Sequence, residues 1–247
     1  MWDKPQALNQ LANSLFGISL LLLFFGVLHY AVHLPVFSLR IVQLSTTPQR
    51  VDVAQIEAVA RNELRGNFFT VDLASVQHAF EKLPWVRRVS VRRYFPWQLD
   101  VTLEEHVALA HWNGTQLVNT QGEVFAAHTE QVLPKFIGQP DTAIEVMQMY
   151  RTFGRQLAPL KQEVRQISLS PRRAWQLRLD NGMVLELGRE QAEQRLARFV
   201  DVYPYSLAPL ARTVSYVDLR YKNGFAVHLP GGINGPGGMA KSRAKQS

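Results

Sequence analysis

The chain has 247 residues and no cysteine. That excludes a disulfide framework, a zinc–thiolate centre and thiol catalysis. Charge is scarce too. Asp, Glu, Lys and Arg make up 19% of the residues, and none occurs between Lys4 and Arg40. The strings that hold phosphates, dinucleotides or catalytic zinc are missing: no P-loop, no dinucleotide fingerprint, no His-Glu-x-x-His, no Gly-x-Ser-x-Gly. No cofactor and no metal is expected. What is present is a globular composition, 47% apolar. It excludes a wholly disordered chain, a collagen and a coiled coil.

The formal charge is +7. The stretch after Pro230 carries Lys241, Arg243 and Lys245 without an acid, and residues 1–33 are neutral, leaving +4 of the +7 on the long middle. That is a mild bias rather than a basic stripe, so nucleic acid is not an expected partner.

The uncharged run from Ser14 to Leu34 is 21 residues long, with Leu20-Leu21-Leu22-Leu23-Phe24-Phe25 at its centre. About 20 such residues span a hydrocarbon core, and its strongly apolar side chains supply on the order of −4 to −8 kcal/mol of insertion free energy. A signal-peptide cleavage site is poorly formed, because His29 precedes Ala31 by two. The expectation is an uncleaved transmembrane helix at 13–34, preceded by a short cytoplasmic segment, 1–12. The bulk of the chain is then expected outside the cytoplasm, since long domains translocate largely regardless of flanking charge. His29 and His33 read as amphipathic residues at the membrane interface rather than a metal or proton-relay pair, because no third ligand is in sight.

From Phe37 the pattern is β-α-α-β-β. Phe37–Leu44 alternates as a strand. Asp52 opens a helix, with Gln55 as capping-box partner and Ile56, Val59, Ala60 and Leu64 as the apolar stripe. Asp72 opens a second, with Leu73, Val76, Ala79, Phe80 and Leu83 facing inward; Pro84 ends it. Val89 and Val91 alternate with Arg88, Ser90 and Arg92 on one strand, and Leu99, Val101 and Leu103 with Asp100, Thr102 and Glu104 on the next, so that arginines oppose carboxylates. Glu104-Glu105-His106 is the densest titratable cluster and reads as a solvated face rather than an acid/base pair. Tyr94, Phe95 and Trp97 read as hairpin-tip packing near the membrane rather than a base-stacking platform.

Beyond Ala108 the pattern becomes antiparallel hairpins with two helices. Asn113-Gly114 predicts a two-residue turn pairing Trp112 with Thr115 and Ala110 with Leu117. Asp141 caps a helix with the stripe Val146, Tyr150, Phe153 and Leu157. Leu196, Phe199, Val200 and Tyr203 form another stripe, stopped by Pro204. Three-residue loops with a left-handed glycine are expected at 180–182 and 222–224. They pair Leu177 with Leu185, Trp175 with Leu187, Leu219 with Val227 and Val217 with Leu229. The fold class is therefore α+β: one transmembrane helix, a first domain at 37–106, a distal β domain at 107–230 and a disordered basic tail at 231–247. The last strand, about 225–229, is expected at a sheet edge, where a proline at Ala226 would remove an outward donor.

The first domain resembles a POTRA domain. Leu64-Arg65-Gly66-Asn67-Phe68-Phe69-Thr70-Val71-Asp72-Leu73 is similar to that family's L-x-G-N-x-F-x-x-D-L string. Leu83-Pro84-Trp85-Val86, Val89-Ser90-Val91-Arg92-Arg93, the Pro96 turn and Val101-Thr102-Leu103-Glu104-Glu105 continue the likeness. With one anchor helix, the whole resembles the bacterial cell-division family FtsQ/DivIB, from about residue 14 to 229. The resemblance implies a non-catalytic inner-membrane scaffold at the division septum. It implies the periplasmic parts of FtsB and FtsL as partners of the distal domain, FtsK as a recruiter through the POTRA domain, and the FtsW–FtsI synthase indirectly. The implied partner-binding residues are Tyr221, Gly224, Phe225, Ala226, Val227, His228 and Leu229; the implied recruitment residues are Arg88, Val91 and Arg93. No catalytic residue is expected. A POTRA scaffold for envelope protein assembly or secretion is the alternative, and an anchored envelope hydrolase a weaker one. Thr46-Thr47-Pro48, where the family often has a glycine, and Leu229, where some members carry an aromatic, depart from the pattern.

Overall fold

The computed structural model describes residues 5–39, 41–44, 47–64, 66–95, 97–208, 214–221 and 224–228. The chain divides into two compact units, Met1–His106 and Val107–Ser247.

The first unit begins with helix α1, Pro5–Val32. Its stretch Asn9–Val32 is long and apolar enough to cross a membrane. It ends before the expected Leu34, because Pro35 disfavours helical backbone at the residue before it. A 3-10 turn at Pro35–Phe37 follows. Strand β1 therefore starts only at Ile41 and runs to Leu44, shorter than the expected 37–44. Helix α2, Val53–Glu63, and helix α3, Leu73–Glu81, start where Asp52 and Asp72 accept backbone N–H groups from Ala54 and from Ala74 and Ser75. The hydrogen bonds from Ser75 and Ala74 hold the Asp72 carboxyl below the usual carboxylate range. Strand β2, Val86–Tyr94, pairs antiparallel with β3, Gln98–Glu105, and β1 lies parallel on the other side of β3. The order β1-β3-β2 buries Ile56, Val76, Phe80, Val89, Val101 and Leu103 between helices and sheet.

Among the described residues the second unit carries one nine-stranded sheet. Its strands are β4 Ala108–Trp112, β5 Gln116–Asn119, β6 Val124–Phe125, β7 Lys135–Ile137, β8 Val164–Leu169, β9 Trp175–Leu179, β10 Val184–Gly188, β11 Tyr216–Asp218 and β12 Ala226–His228. They lie in the order β12-β11-β10-β9-β8-β7-β4-β5-β6. The sheet is not built of hairpins alone. β4 with β7, β7 with β8, and β10 with β11 run parallel. Helix α4, Ala143–Leu157, connects β7 to β8, and helix α5, Ala192–Ser206, connects β10 to β11. A helical crossover is what parallel neighbours require. Val146, Phe153, Leu157, Leu196 and Phe199 are fully buried, as their spacing predicts.

Several local expectations are corrected. Asp141 lies inside a 3-10 turn, Pro140–Thr142, and Thr142 precedes α4 without a side-chain cap. Helix α5 continues past Pro204, which sits in the last turn and so costs only the bond to the Val200 carbonyl. Asn113-Gly114 pairs Trp112 with Gln116 and Ala110 with Val118. The expected register failed there because Leu117, Val118 and Asn119 are all buried, so no solvent face exists to discriminate. Leu177 does oppose Leu185, and Gly182 is left-handed, but a bulge after Glu186 brings Gly188, not Leu187, opposite Trp175.

Candidate partner-binding edge

The terminal hairpin is placed by helix α5. Leu196 and Phe199 seat the helix on the core. The Phe199 ring meets Tyr203 at 5.3 Å and Phe225 at 6.0 Å edge-on. An open groove of about 290 Å³ lies beside this contact, lined by Arg195, Arg198, Asp201, Val202, Gly224 and Phe225 among others.

Two features fix β11. The Leu219 N–H donates to the Glu186 carbonyl at 2.9 Å. Asp218 then folds back onto Arg220, accepting from its Nη2 at 2.7 Å, its Nε at 2.9 Å and its backbone N–H at 3.0 Å. That guanidinium holds the Asp218 carboxyl below the usual range despite partial burial. Gly188 makes room for it. At φ +73°, an added Cβ would lie 2.8 Å from Arg195 Nη1 and 3.0 Å from Arg220 Cγ. Sequence reading missed Asp218, Arg220 and Gly188; the signal was an Asp-x-Arg at a strand end, where the side chains can bend back.

β12 pairs antiparallel with β11 as Tyr216↔His228, Val217↔Val227 and Asp218↔Ala226. The expected pairs Leu219 with Val227 and Val217 with Leu229 are therefore shifted by two residues. The shift keeps every side chain on its face, which is why the apolar pattern could not detect it. The connection is longer than the expected three residues, and Gly224 is not left-handed. Lys222, Asn223 and Leu229 lie outside the described residues, as does the expected tail.

Within the described sheet β12 is a terminal strand. The Ser215 N–H and hydroxyl both donate to the His228 carbonyl, at 3.3 and 3.2 Å. The backbone groups of residue 228 thus point into the sheet. Backbone direction alternates along an antiparallel strand, so Ala226 also points inward and Val227 turns its N–H and C=O outward. The outward donor belongs to Val227, not to Ala226 as expected. Phe225 and Val227 are half-buried against the core, whereas Tyr221, Gly224, Ala226 and His228 are exposed. The expected residues other than Leu229 thus lie together on one short hairpin.

The residues expected to serve recruitment do not converge. Arg88 is exposed opposite Glu104. Val91 is half-buried against the core of the first unit. Arg93, about 17 Å from Arg88 along the strand, donates from Nη2 to the Val71 carbonyl at 2.7 Å. A bulge between Val86 and Arg88 turns Arg87 onto Glu104, so the ion pair forms there and not from Arg88.

Glu105 has a structural task. Its carboxylate accepts the N–H groups of Gln49, Arg50 and Val51 at 3.1, 3.0 and 2.9 Å. Burial raises its pKa, but these bonds and the Arg50 charge outweigh burial and bring it below the usual range. The Arg50 guanidinium lies over the Trp85 ring at 4.6 Å. Among the described residues no group of three or more His, Asp or Glu could hold a metal.

Residues 37–106 match the family described as POTRA domain, FtsQ-type, and residues 110–220 match Cell division protein FtsQ/DivIB, C-terminal. The chain is 46% identical over 231 residues to a cell division protein FtsQ of Nitrosospira multiformis, covering 92% of this chain and 98% of that one. It is 38% identical to the FtsQ of Burkholderia pseudomallei, over 94% of this chain and 95% of that one. It is 33% identical to the FtsQ of Neisseria gonorrhoeae, over 94% and 97%. An N-terminal helix long and apolar enough to cross a membrane, a POTRA domain and a distal mixed sheet thus come together in a chain that belongs to the FtsQ/DivIB family of bacterial cell division proteins.

Proposed function

We propose that this chain is a non-catalytic inner-membrane scaffold of the division machinery, with its N-terminus in the cytoplasm, its bulk in the periplasm and enrichment at the septum. β12 takes an added strand from FtsB, held with FtsL, and through that pair links to septal synthesis by FtsW–FtsI. Arg88, with Val91 and Arg93, contributes to recruitment through FtsK. The observation that carries this reading is the outward backbone of Val227 on a terminal strand. Edges normally carry a lysine, a proline or a cover; Ala226, Val227 and His228 include no lysine and no proline. An extended segment can add there, with main-chain bonds giving affinity and the groove beside Phe225 giving side-chain selection. A non-catalytic role is supported by the work of the carboxylates with lowered pKa. Asp72 caps a helix, Glu105 holds a loop and Asp218 holds Arg220.

The test compares two prolines in a capture assay with the periplasmic segment of FtsB, beside thermal melting. Val227→Pro removes the outward donor and should abolish capture with a modest loss of stability. Ala226→Pro removes an inward donor and should mainly lower the melting temperature. Undiminished capture by a folded Val227→Pro variant would end the edge-strand reading.

A further inference from the structure

We infer that the loop 66–71 and the tip of the β2–β3 hairpin form a dock for the bilayer surface, placing aromatic side chains among phospholipid headgroups beside the anchor helix. The inference rests on α1 crossing the membrane and is independent of which proteins β12 binds.

Two hydrogen bonds bring this part of the POTRA domain to the end of the apolar span, and a third ties the hairpin to it. Asn67 Nδ2 donates to the Val32 carbonyl at 2.6 Å. The Phe68 N–H donates to the Phe37 carbonyl at 2.9 Å. Arg93 Nη2 donates to the Val71 carbonyl at 2.7 Å, tying the hairpin strand to the same loop. The loop is shaped for this. Gly66 is left-handed at φ +103°, with Thr70 Oγ1 only 2.7 Å from where a Cβ would stand. Asn67 Oδ1 accepts the N–H groups of Phe69 and Thr70 at 3.0 Å each, which leaves its amide nitrogen for Val32.

A chain of ring contacts runs along the same path. Phe37 meets Phe69 at 5.0 Å, Phe69 meets Phe68 at 5.2 Å, and Phe68 meets Phe95 at 5.9 Å, all edge to face. Only Phe68 is buried. Phe69 is 44% exposed, Tyr94 54% and Phe95 74%. Val36, next to Phe37 in the chain, is half exposed. Large apolar side chains grouped at a surface mark a contact. This group is fastened to the carbonyl at which the membrane-crossing stretch ends. The headgroup layer extends about 5–7 Å beyond the hydrocarbon on each side, and aromatic rings are enriched in it. Arg92, exposed on the same hairpin, suits a lipid phosphate. A protein partner could be met on any surface of the domain; a bilayer can be met only here, where the anchor holds it.

The lack of native cysteine makes the test direct. Tyr94→Cys in the full-length chain is coupled to a polarity-sensitive fluorophore. The protein is reconstituted alone in vesicles of phosphatidylethanolamine and phosphatidylglycerol, some carrying a nitroxide-labelled lipid. Tyr205→Cys, 86% exposed in the distal unit, is the aqueous control. The label at 94 should emit to the blue of the label at 205 and be quenched several-fold more strongly. Adding Phe95→Ser, a change at the most exposed ring of the group, should return it towards the control. Equal quenching at 94 and 205 would overturn the dock. So would strong quenching at 94 that Phe95→Ser leaves unchanged, since tethering alone would then account for it.

Discussion

Replacing Glu105 tests whether the cluster Glu104-Glu105-His106 is architecture or chemistry. Its carboxylate holds three successive backbone N–H groups that otherwise have to be solvated at the entrance to helix α2. Gln49 and Arg50 are exposed, so water can take over their donors; Val51 is buried, so its donor cannot be rescued as easily. A hydrogen bond to a charged group contributes about 1.5–3 kcal/mol. Counting Val51 fully and the others little, Glu105→Ala should cost about 2–3 kcal/mol and Glu105→Gln about 1 kcal/mol. The assay is amide exchange of the peptide spanning 49–56, where about 2 kcal/mol means exchange roughly 30-fold faster. The charge has a pH signature. The folded-state pKa is lowered, so its stabilisation is present above the ordinary glutamate value and is lost as pH falls through the lowered one. The gap between Glu105 and Glu105→Gln should therefore be full at neutral pH and shrink as the pH falls below the ordinary glutamate value. A gap that is absent at neutral pH, or equally large in acid, refutes the reasoning.

Gly188→Ala forces a side chain into left-handed backbone and against Arg195 and Arg220. It should cost about 1–3 kcal/mol in urea unfolding and loosen β11 before the rest of the sheet; an unchanged midpoint would refute both the backbone strain and the clash with the two arginine side chains. Arg88→Glu places a like charge opposite Glu104 on an exposed surface and should change stability by about 0–1 kcal/mol. If Arg88 serves recruitment, a fluorescent fusion of this folded variant should lose its septal band, and a normal band would remove that role. Arg93→Glu is a poorer probe, because it also breaks the bond to Val71.

The POTRA domain was legible because its elements are one-sided. Asp52 and Asp72 mark two starts, Ile56, Val76 and Phe80 mark buried faces, and Arg88 and Arg92 alternate with Val89 and Val91. The distal sheet was only partly legible. Strands such as Gln116–Asn119 are covered on both faces, so neither register nor parallel direction leaves a trace in the alternation. The short strands Val124–Phe125 and Lys135–Ile137 carry too few residues to show any period. At the candidate edge the apolar pattern located the hairpin, because Phe225 and Val227 need the core. It could not say which residue turns its N–H outward, since that depends on the pairing of Tyr216 with His228 and Asp218 with Ala226, and a two-residue shift leaves the apolar faces unchanged. Glu105 was noticed for its charge, but its three acceptances come from a loop more than 50 positions away.

The parallel pairing of β10 with β11 sets a timetable. A ribosome delivers β10 well before β11, and β11 gains its place only when α5 has folded across and laid it alongside. β12 then has a neighbour to pair with, and not earlier. The outward Val227 backbone is therefore among the last surfaces of the described fold to come into being. A nascent or prematurely terminated chain that lacks residues 192–228 would instead present the side of β10, where Leu185 and Leu187 are fully buried in the finished protein. On the proposed strand addition, β12 offers its outward backbone only in a chain whose β10, α5 and β11 are already in place, so a half-made copy would be silent there.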